Sequence, residues 1–378
     1  MTAMPAMTAT IDITPPVRFE FLRSEGSARE VGRQHGRTFG TQVRGSIGVY
    51  RNKFEKMGVP WAKALELAAS SGETLRTFDP GLWDELTGIA EGAEVDLREI
   101  VVINIRTSIT RMVEVAVAED HECTSAAVLG EATANGHTLL GQNWDQSGVC
   151  QPNTVVIEQH IAGEPGLLFV TEAGILFRHG VNEAGVGICG NALRSDKEAR
   201  ADKGNPAPVA RRRALRENNL QDAVKTLRET PRSHSANHMM ADAGGHAVDV
   251  ESIPGDTFEL QPEGGILVHS NHFLHERAKA SGLKDRGAIS HPDSLYRDCR
   301  VRDYLSARRG SITVEDFKQA LKDHHGHPLS VCRHPKPGAT GDSIGYTLVS
   351  SVIDLNERRM WTAPGPACVG TYTEYKFS

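Results

Sequence analysis

Hydrophobic period changes abruptly at Cys123, and that break limits the folds open to this chain. Ahead of it the apolar residues recur at helical spacing. Ser27 and Glu30 have the spacing of a capping box, and Val31, Phe39, Val43, Ile47, Tyr50 and Phe54 then share one face, which predicts a long amphipathic helix. Asp79-Pro80 and Asp96 to Glu99 mark two further helix starts, and no strand is expected before residue 120. Behind Cys123 come short runs of strand character. Residues 124–129 and 137–142 flank Asn135-Gly136, a strong hairpin signal. Further strands are expected at 154–161, 167–171, 174–179 and 186–191, with a turn at 182–185. One helix is expected over 211–229, strands at 237–241, 246–251 and 266–269, helices at 294–305 and 317–321, and strands at 346–353, 360–362 and 368–375. Strands in two groups with helices in separate blocks predict an α+β fold of sheet packed on sheet with helices outside, not alternating βαβ units.

Composition narrows the function. The 378 residues suffice for one large domain or two medium ones, and 39% hydrophobic content excludes a disordered chain. A net charge of −6 with no long block of either sign leaves no footprint for nucleic acid or an anionic membrane. No apolar run is long enough to span a bilayer. Residues 1–16 lack the basic and apolar regions of a secretory signal, and the six cysteines are scattered without CxxC pairs, so reduced cysteines and a cytoplasmic location are expected.

Cys123 itself is the sharpest chemical candidate. It opens a hairpin in His121-Glu122-Cys123-Thr124-Ser125, where a nucleophile is expected to be poorly buried and well aimed. Were the preceding bond cut, its free α-amine, with a pKa of about 7.7–8.0, could act as its own general base. The residues alone leave open an ordinary buried cysteine of a β core.

The run Glu122-Cys123-Thr124-Ser125-Ala126, followed by Gly141-Gln142-Asn143-Trp144-Asp145, resembles the acyl-coenzyme A:6-aminopenicillanic acid acyltransferase family, cysteine-type N-terminal-nucleophile (Ntn) hydrolases of the peptidase C45 type. Gly88 to Gly92, Asn104 with Arg106, Gly180 to Gly185, Asn191 to Leu193, Ser270 to Phe273, Ser294 with Arg297, Ser330 to Arg333 and Thr347 to Ser351 extend the likeness over about residues 20–376. The resemblance implies a four-layer αββα sandwich of two antiparallel sheets flanked by helices. It also implies a precursor that cuts itself between Glu122 and Cys123. Residues 1–18 would be a flexible tail, 19–122 a helical α-chain and 123–378 a β-chain, the two chains staying associated as one domain. Glu122 departs from the small glycine that often precedes the family's cysteine.

Roles follow from that resemblance. Cys123 would form a thioester acyl-enzyme with a small N-acyl amide, and Asn271 would offer its side-chain N–H₂ to the oxyanion. Asp145 would accept from the new amine of Cys123, its bland alternative being an Asx turn. Arg333 would lower the thiol pKa or bind an anionic part of the substrate, its alternative being a solvated loop arginine. Trp144 and His272 are expected to touch substrate. Hydrolysis is favoured; the alternatives are N-acyl transfer from acyl-CoA to an amine, as in penicillin acyltransferases, and an unprocessed ligand-binding protein of the same fold. No cofactor is expected, and the oligomeric state is open.

The rival constellation is rich in histidine. Asp323-His324-His325-Gly326-His327 lacks an HExxH or CxxC frame, so a solvated or substrate-lining loop is expected there and no metal. His35 is expected to be a satisfied core histidine, Arg211-Arg212-Arg213 a helix face, and Gly185, Gly187 and Gly190 points of close approach, not a dinucleotide fingerprint.

Overall fold

The computed structural model describes residues 16–113 and 122–378. Residues 1–15 of the expected 1–18 tail, and His121, lie outside the described residues. The chain begins with strand β1 (Glu20–Gly26) and helices α1 (Ala28–Thr38), α2 (Gly40–Lys56), α3 (Trp61–Phe78), α4 (Pro80–Ala93), α5 (Leu97–Asn104) and α6 (Arg106–Met112). Strands β2 (Cys123–Val128), β3 (Leu139–Ser147), β4 (Thr154–Ile161), β5 (Leu167–Glu172), β6 (His179–Asn182) and β7 (Val186–Cys189) follow. Helices α7 (Ala207–Ala214) and α8 (Leu220–Glu229) precede β8 (Ala236–Asp242), β9 (Ala247–Ile253), β10 (Asp256–Leu260) and β11 (Ile266–His269). The chain ends with α9 (Glu276–Ala280), α10 (Arg286–Ser290), α11 (Ser294–Ser306), α12 (Val314–Ala320), β12 (Gly345–Asp354), β13 (Arg359–Pro364) and β14 (Thr373–Lys376).

The strands make an eight-stranded sheet, in order β1-β4-β5-β6-β7-β8-β9-β10, and a six-stranded sheet, β11-β2-β3-β12-β13-β14. Strand alternation decides what each face meets. In β5, Leu167 and Phe169 join Val43, Leu86 and Ile103 of the helices, whereas Leu168 and Val170 face Leu140, Trp144 and Leu348 of the other sheet. In β2, Cys123 and Ala127 face the space between the sheets, and Ala126 and Val128 pack under Val301 of α11 and Phe317 of α12. The layers therefore run helix, sheet, sheet, helix, the αββα order that the resemblance implies.

Local differences have identifiable causes. The long first helix is two helices broken at Phe39, and the apolar stripe continues through the break because Phe39 is itself fully buried. β1 escapes the sequence pattern because it is a polar edge strand, and its parallel pairing with β4 also makes the larger sheet mixed, not purely antiparallel. The expected strand at 174–179 is a connection starting at Gly174 (φ +89°), whose Ile175, Leu176 and Phe177 are apolar because they plug the helix-side core. The strand there is instead β6, which takes in Asn182 from the expected turn. The helix expected over 211–229 is split in two, with Asn219 capping the second half through Asp222 N. Capping at Ser27, Asp79 and Asp96 is as expected, except that Asp96 accepts from Arg98 N and forms no reciprocal box.

Candidate active site

Cys123 is the first residue of β2, paired opposite Trp144 of β3. Because its side chain points between the sheets, it is only 1% exposed, which corrects the expectation of a poorly buried nucleophile. Its Sγ receives a hydrogen bond from Arg178 Nη2 at 2.7 Å, and the same guanidinium lies over the Trp144 ring at 5.0 Å. Burial pushes the Cys123 thiol up, and Arg178 pulls it back only in part. Arg178 escaped notice in the sequence because it follows an apolar run and precedes β6, with no motif around it.

Backbone geometry around the preceding peptide is equally defined. The Glu122 carbonyl accepts from Asp145 N at 2.8 Å. Cys123 N donates to Asn271 Oδ1 at 2.8 Å, and Arg297 Nη2 donates to the same oxygen at 2.9 Å. Two donors fix which way the Asn271 amide faces. Its Nδ2 then donates to Ala192 O at 2.9 Å, so in this uncut chain the amide N–H₂ expected to serve an oxyanion is engaged elsewhere. Ser294 ties this strand end to α11, its Oγ accepting from Asn271 N at 2.7 Å and bonding His272 Nδ1 at 2.8 Å. No described contact joins His272 to Cys123.

Beneath the peptide is a buried charge cluster. Arg297 donates to Glu122 Oε2, to Asp293 Oδ2 at 3.0 Å, and to Cys123 O and Thr124 Oγ1, both at 2.8 Å. Arg333 Nη2 meets Glu122 Oε2 at 2.6 Å and Asp293 Oδ2 at 2.5 Å, and its Nε lies 3.6 Å from Asp145 Oδ2. Arg333 is 1% exposed, so it is no solvated loop residue; it serves the carboxylates, and the cation beside the thiol is Arg178. Asp145 lies inside β3, not in an Asx turn, and its Oδ1 accepts from Thr347 Oγ1 at 2.6 Å.

Three carboxyls share two guanidiniums here, so one proton has reason to stay. Burial raises Glu122 to about 8 against the pull of Arg297 and Arg333, and raises Asp145 to about 6. Asp293 stays low despite burial, held by Arg297 and by its hydrogen bond with Glu122. The bulky Glu122 is thus accommodated by a built pocket.

Beside Trp144 and Arg178 opens a narrow cavity of about 50 Å³, lined also by Lys53, Arg106, Arg111 and Gln146. Among the described residues its lining carries cations and no carboxylate.

The remaining histidines divide. His35 accepts from Gly174 N at 2.9 Å, and burial lowers it to about 4, as fits a core histidine. His234 bonds Ser108 Oγ at 3.0 Å, His238 accepts from Arg211 Nε at 3.2 Å, and His269 bonds Glu251 Oε1 at 2.9 Å. That contact places Arg211 inside the fold, with Arg212 also buried and facing Glu85 at 3.4 Å. The basic triplet is therefore largely internal. Gly190 lets Arg211 in, since a Cβ there would lie 2.1 Å from Arg211 Nη2. Of the 324–327 loop, His325 packs edge-on against Tyr296, but His324 converges with Cys332, His334 and Cys368, their ligand atoms all within 4.8 Å of one another. The absence of a contiguous frame hid that cluster, because its members come from two separate loops.

A profile of the family described as acyl-coenzyme A:6-aminopenicillanic acid acyl-transferase matches residues 132–366. The 40 kDa form of acyl-coenzyme A:6-aminopenicillanic-acid-acyltransferase from Emericella nidulans is 30% identical over 337 residues, 87% of this chain and 88% of that protein. Among solved structures, a variant of the conjugated bile acid hydrolase from Clostridium perfringens superposes with a TM-score of 0.46 at 13% identity, covering 68% of this chain and 97% of that one. Penicillin V acylase from Agrobacterium tumefaciens gives 0.43 at 15% identity, covering 68% and 86%.

Proposed function

We propose that this chain, which belongs to the acyl-coenzyme A:6-aminopenicillanic acid acyl-transferase family, cuts itself before Cys123 and then uses that cysteine as its nucleophile. The protein is an acyl-group enzyme, an amidohydrolase or an N-acyltransferase. The observation that carries the cysteine reading is the placing of Cys123 at the start of β2, its thiol against Arg178 and the preceding carbonyl already held by Asp145 N–H.

In the first reaction the Cys123 sulfur attacks the Glu122 carbonyl carbon. Negative charge grows on the oxygen that Asp145 N–H already meets, and one such donor is worth about 3–4 kcal/mol in a water-excluded site. The C–N bond breaks, the nitrogen takes up a proton as the new α-amine, and a thioester joins Glu122 to Sγ. Water then cleaves the thioester, returning the thiol and leaving a carboxylate on Glu122. Asn271 Oδ1, already bonded to that nitrogen, is in place to orient the amine. The freed amine is the general base for the second reaction, in which Sγ attacks the acyl carbon of a small N-acyl amide and the amine protonates the leaving nitrogen. Once Glu122 has withdrawn, Asn271 can turn its N–H₂ from Ala192 O to the substrate oxyanion.

Hydrolysis and transfer share these steps until the acceptor arrives. We take water as the acceptor, because it deacylates the thioester without a second substrate site, and the cavity beside Trp144 and Arg178 marks the side from which substrate enters once Glu122 has withdrawn. Its cationic lining suits an amide that carries a carboxylate. Association of the two chains after cleavage, substrate contact at Trp144 and a cytoplasmic setting, for which the six free cysteines speak, complete the proposal.

Intact-mass spectrometry of the denatured wild-type protein and a Cys123→Ala variant tests it. Two pieces spanning 1–122 and 123–378 in the wild type, and one uncut chain in the variant, are expected. An uncut wild type leaves the same-fold binding protein as the surviving reading. The cut enzyme should then release free acid from N-acyl amides without an added amine, and a strict need for an amine would make it a transferase.

A further inference from the structure

The segment after α12 has two faces. Arg333 turns inward to Glu122 and Asp293, while its neighbours Cys332 and His334 turn the other way, as alternate residues of an extended segment do. There they meet His324 from the same loop and Cys368 from the connection between β13 and β14. His334 Nε2 lies 3.1 Å from His324 Nε2, 3.6 Å from Cys332 Sγ and 3.5 Å from Cys368 Sγ. A ring nitrogen has either one proton or one lone pair, so hydrogen bonding can satisfy only one of these three contacts. One cation at the centre satisfies all of them.

The spacing has the right scale. Zinc holds sulfur at about 2.3 Å and imidazole nitrogen at about 2.0–2.1 Å, which gives a tetrahedron with edges of roughly 3.3–3.8 Å. Two sulfurs and two nitrogens select zinc over the harder, oxygen-seeking cations. The surroundings are already organised, with Cys332 N donating to Asp323 O at 3.0 Å and His334 N to Pro328 O at 2.9 Å. The His327 ring packs 4.9 Å from that of His334 and walls one side.

We propose that His324, Cys332, His334 and Cys368 form a closed Cys₂His₂ zinc site that clasps the Arg333 loop to the segment following β13. All four positions are filled by protein, so the ion is structural and offers no place for a reacting water. Binding takes one proton from each thiol, and two thiolates with two neutral imidazoles leave the occupied site uncharged. Two of the ligands flank Arg333, so the clasp fixes the backbone from which that arginine reaches the charge cluster under Glu122.

The site is tested on the full chain with no polyhistidine tag, purified under reducing conditions. Elemental analysis should find about one zinc per chain, and exchange for cobalt should give the visible bands of a tetrahedral ion with thiolate-to-cobalt charge transfer. Both signals should be lost in Cys368→Ser and retained in Cys299→Ser, which alters an exposed cysteine elsewhere. If Cys368→Ser does not fold, the wild-type cobalt spectrum decides. A folded, reduced wild type that holds neither zinc nor cobalt after incubation with either ion overturns the proposal, as does a cobalt spectrum that Cys368→Ser leaves unchanged. None of these readouts depends on cleavage or acyl chemistry, so the clasp and the proposed activity can fail separately.

Discussion

Arg297→Met keeps most of the side chain's length and removes its guanidinium. That group uses all five of its N–H donors, on Asp293, Cys123 O, Thr124 Oγ1, Glu122 and Asn271 Oδ1, in a position that is 0% exposed. Losing it leaves Arg333 as the one guanidinium on Glu122 and Asp293. Breaking a buried pair from one side costs about 3–5 kcal/mol. Each orphaned neutral acceptor adds about 1–3 kcal/mol when nothing relaxes. Here two reliefs are at hand: Glu122 can keep a proton, and Asn271 Oδ1 still has Cys123 N–H. We therefore expect the pair figure alone, about 3–5 kcal/mol, a large part of the 5–15 kcal/mol typical of a domain. The assay is urea unfolding of Cys123→Ala against Cys123→Ala/Arg297→Met, both uncut, followed by tryptophan fluorescence. Arg297→Lys should recover part of the loss, since an ammonium keeps the charge without the planar fork. A loss below about 1 kcal/mol would refute the view that this guanidinium organises the cluster.

The raised carboxyls give a pH dependence of definite sign. Folded Glu122 and Asp145 hold protons up to about 8 and about 6, whereas unfolded carboxyls lose theirs near 4, so between those limits these two groups bind more protons in the folded state and their contribution to stability falls as pH rises. Buried histidines such as His35 shift the other way, so the readout is a difference: the melting temperature of Cys123→Ala minus that of Cys123→Ala/Glu122→Gln should fall from about pH 5 to about pH 8, and a difference that does not move with pH counts against the assignment. Arg178→Ala removes the largest pull against burial of the Cys123 thiol, so alkylation by iodoacetamide should slow roughly tenfold for each unit the thiol rises. An unmoved pH profile would separate Arg178 from the thiol. Gly190→Ala forces a Cβ onto the buried Arg211 guanidinium and should cost about 1–3 kcal/mol in thermal or urea unfolding, while Gly48→Ala, in α2 with open space around it, should show no such loss.

The layer architecture was legible because helical and strand periods are cleanly separated at Cys123, and burial on both faces of β4 and β5 leaves apolar runs that are easily seen. β1 was not, because its residues alternate weakly and its pairing partner lies more than a hundred residues away. At the site, Asp145 and Asn271 do meet the peptide bond before Cys123, with Arg333 on the Glu122 side chain, but which cation serves the thiol was invisible. Arg333 has a motif around it and Arg178 has none, so sequence context favoured the arginine that turns out to face carboxylates. The Cys₂His₂ cluster was hidden for a related reason: the run Asp323 to His327 supplies only His324 to it, and the other members, Cys332, His334 and Cys368, lie outside that run, Cys368 in a different loop.

The pairing of β1 with β4 sets the order of events for a chain that is cut. β1 lies beside β4 over seven positions, and α2 to α5 complete the core on the helix side of the same sheet. Before the cut, folding is a reaction of one molecule with itself. Afterwards the same native structure is a complex of two polypeptides, and its re-formation from the unfolded state is second order in concentration. At high dilution the separated pieces would be slow to find each other, so the cut protein should behave as a kinetically trapped species whose working lifetime is set by its unfolding rate. For a chain that cuts itself, synthesis in one piece would therefore supply more than a masked amine: it would provide the only unimolecular route to the fold.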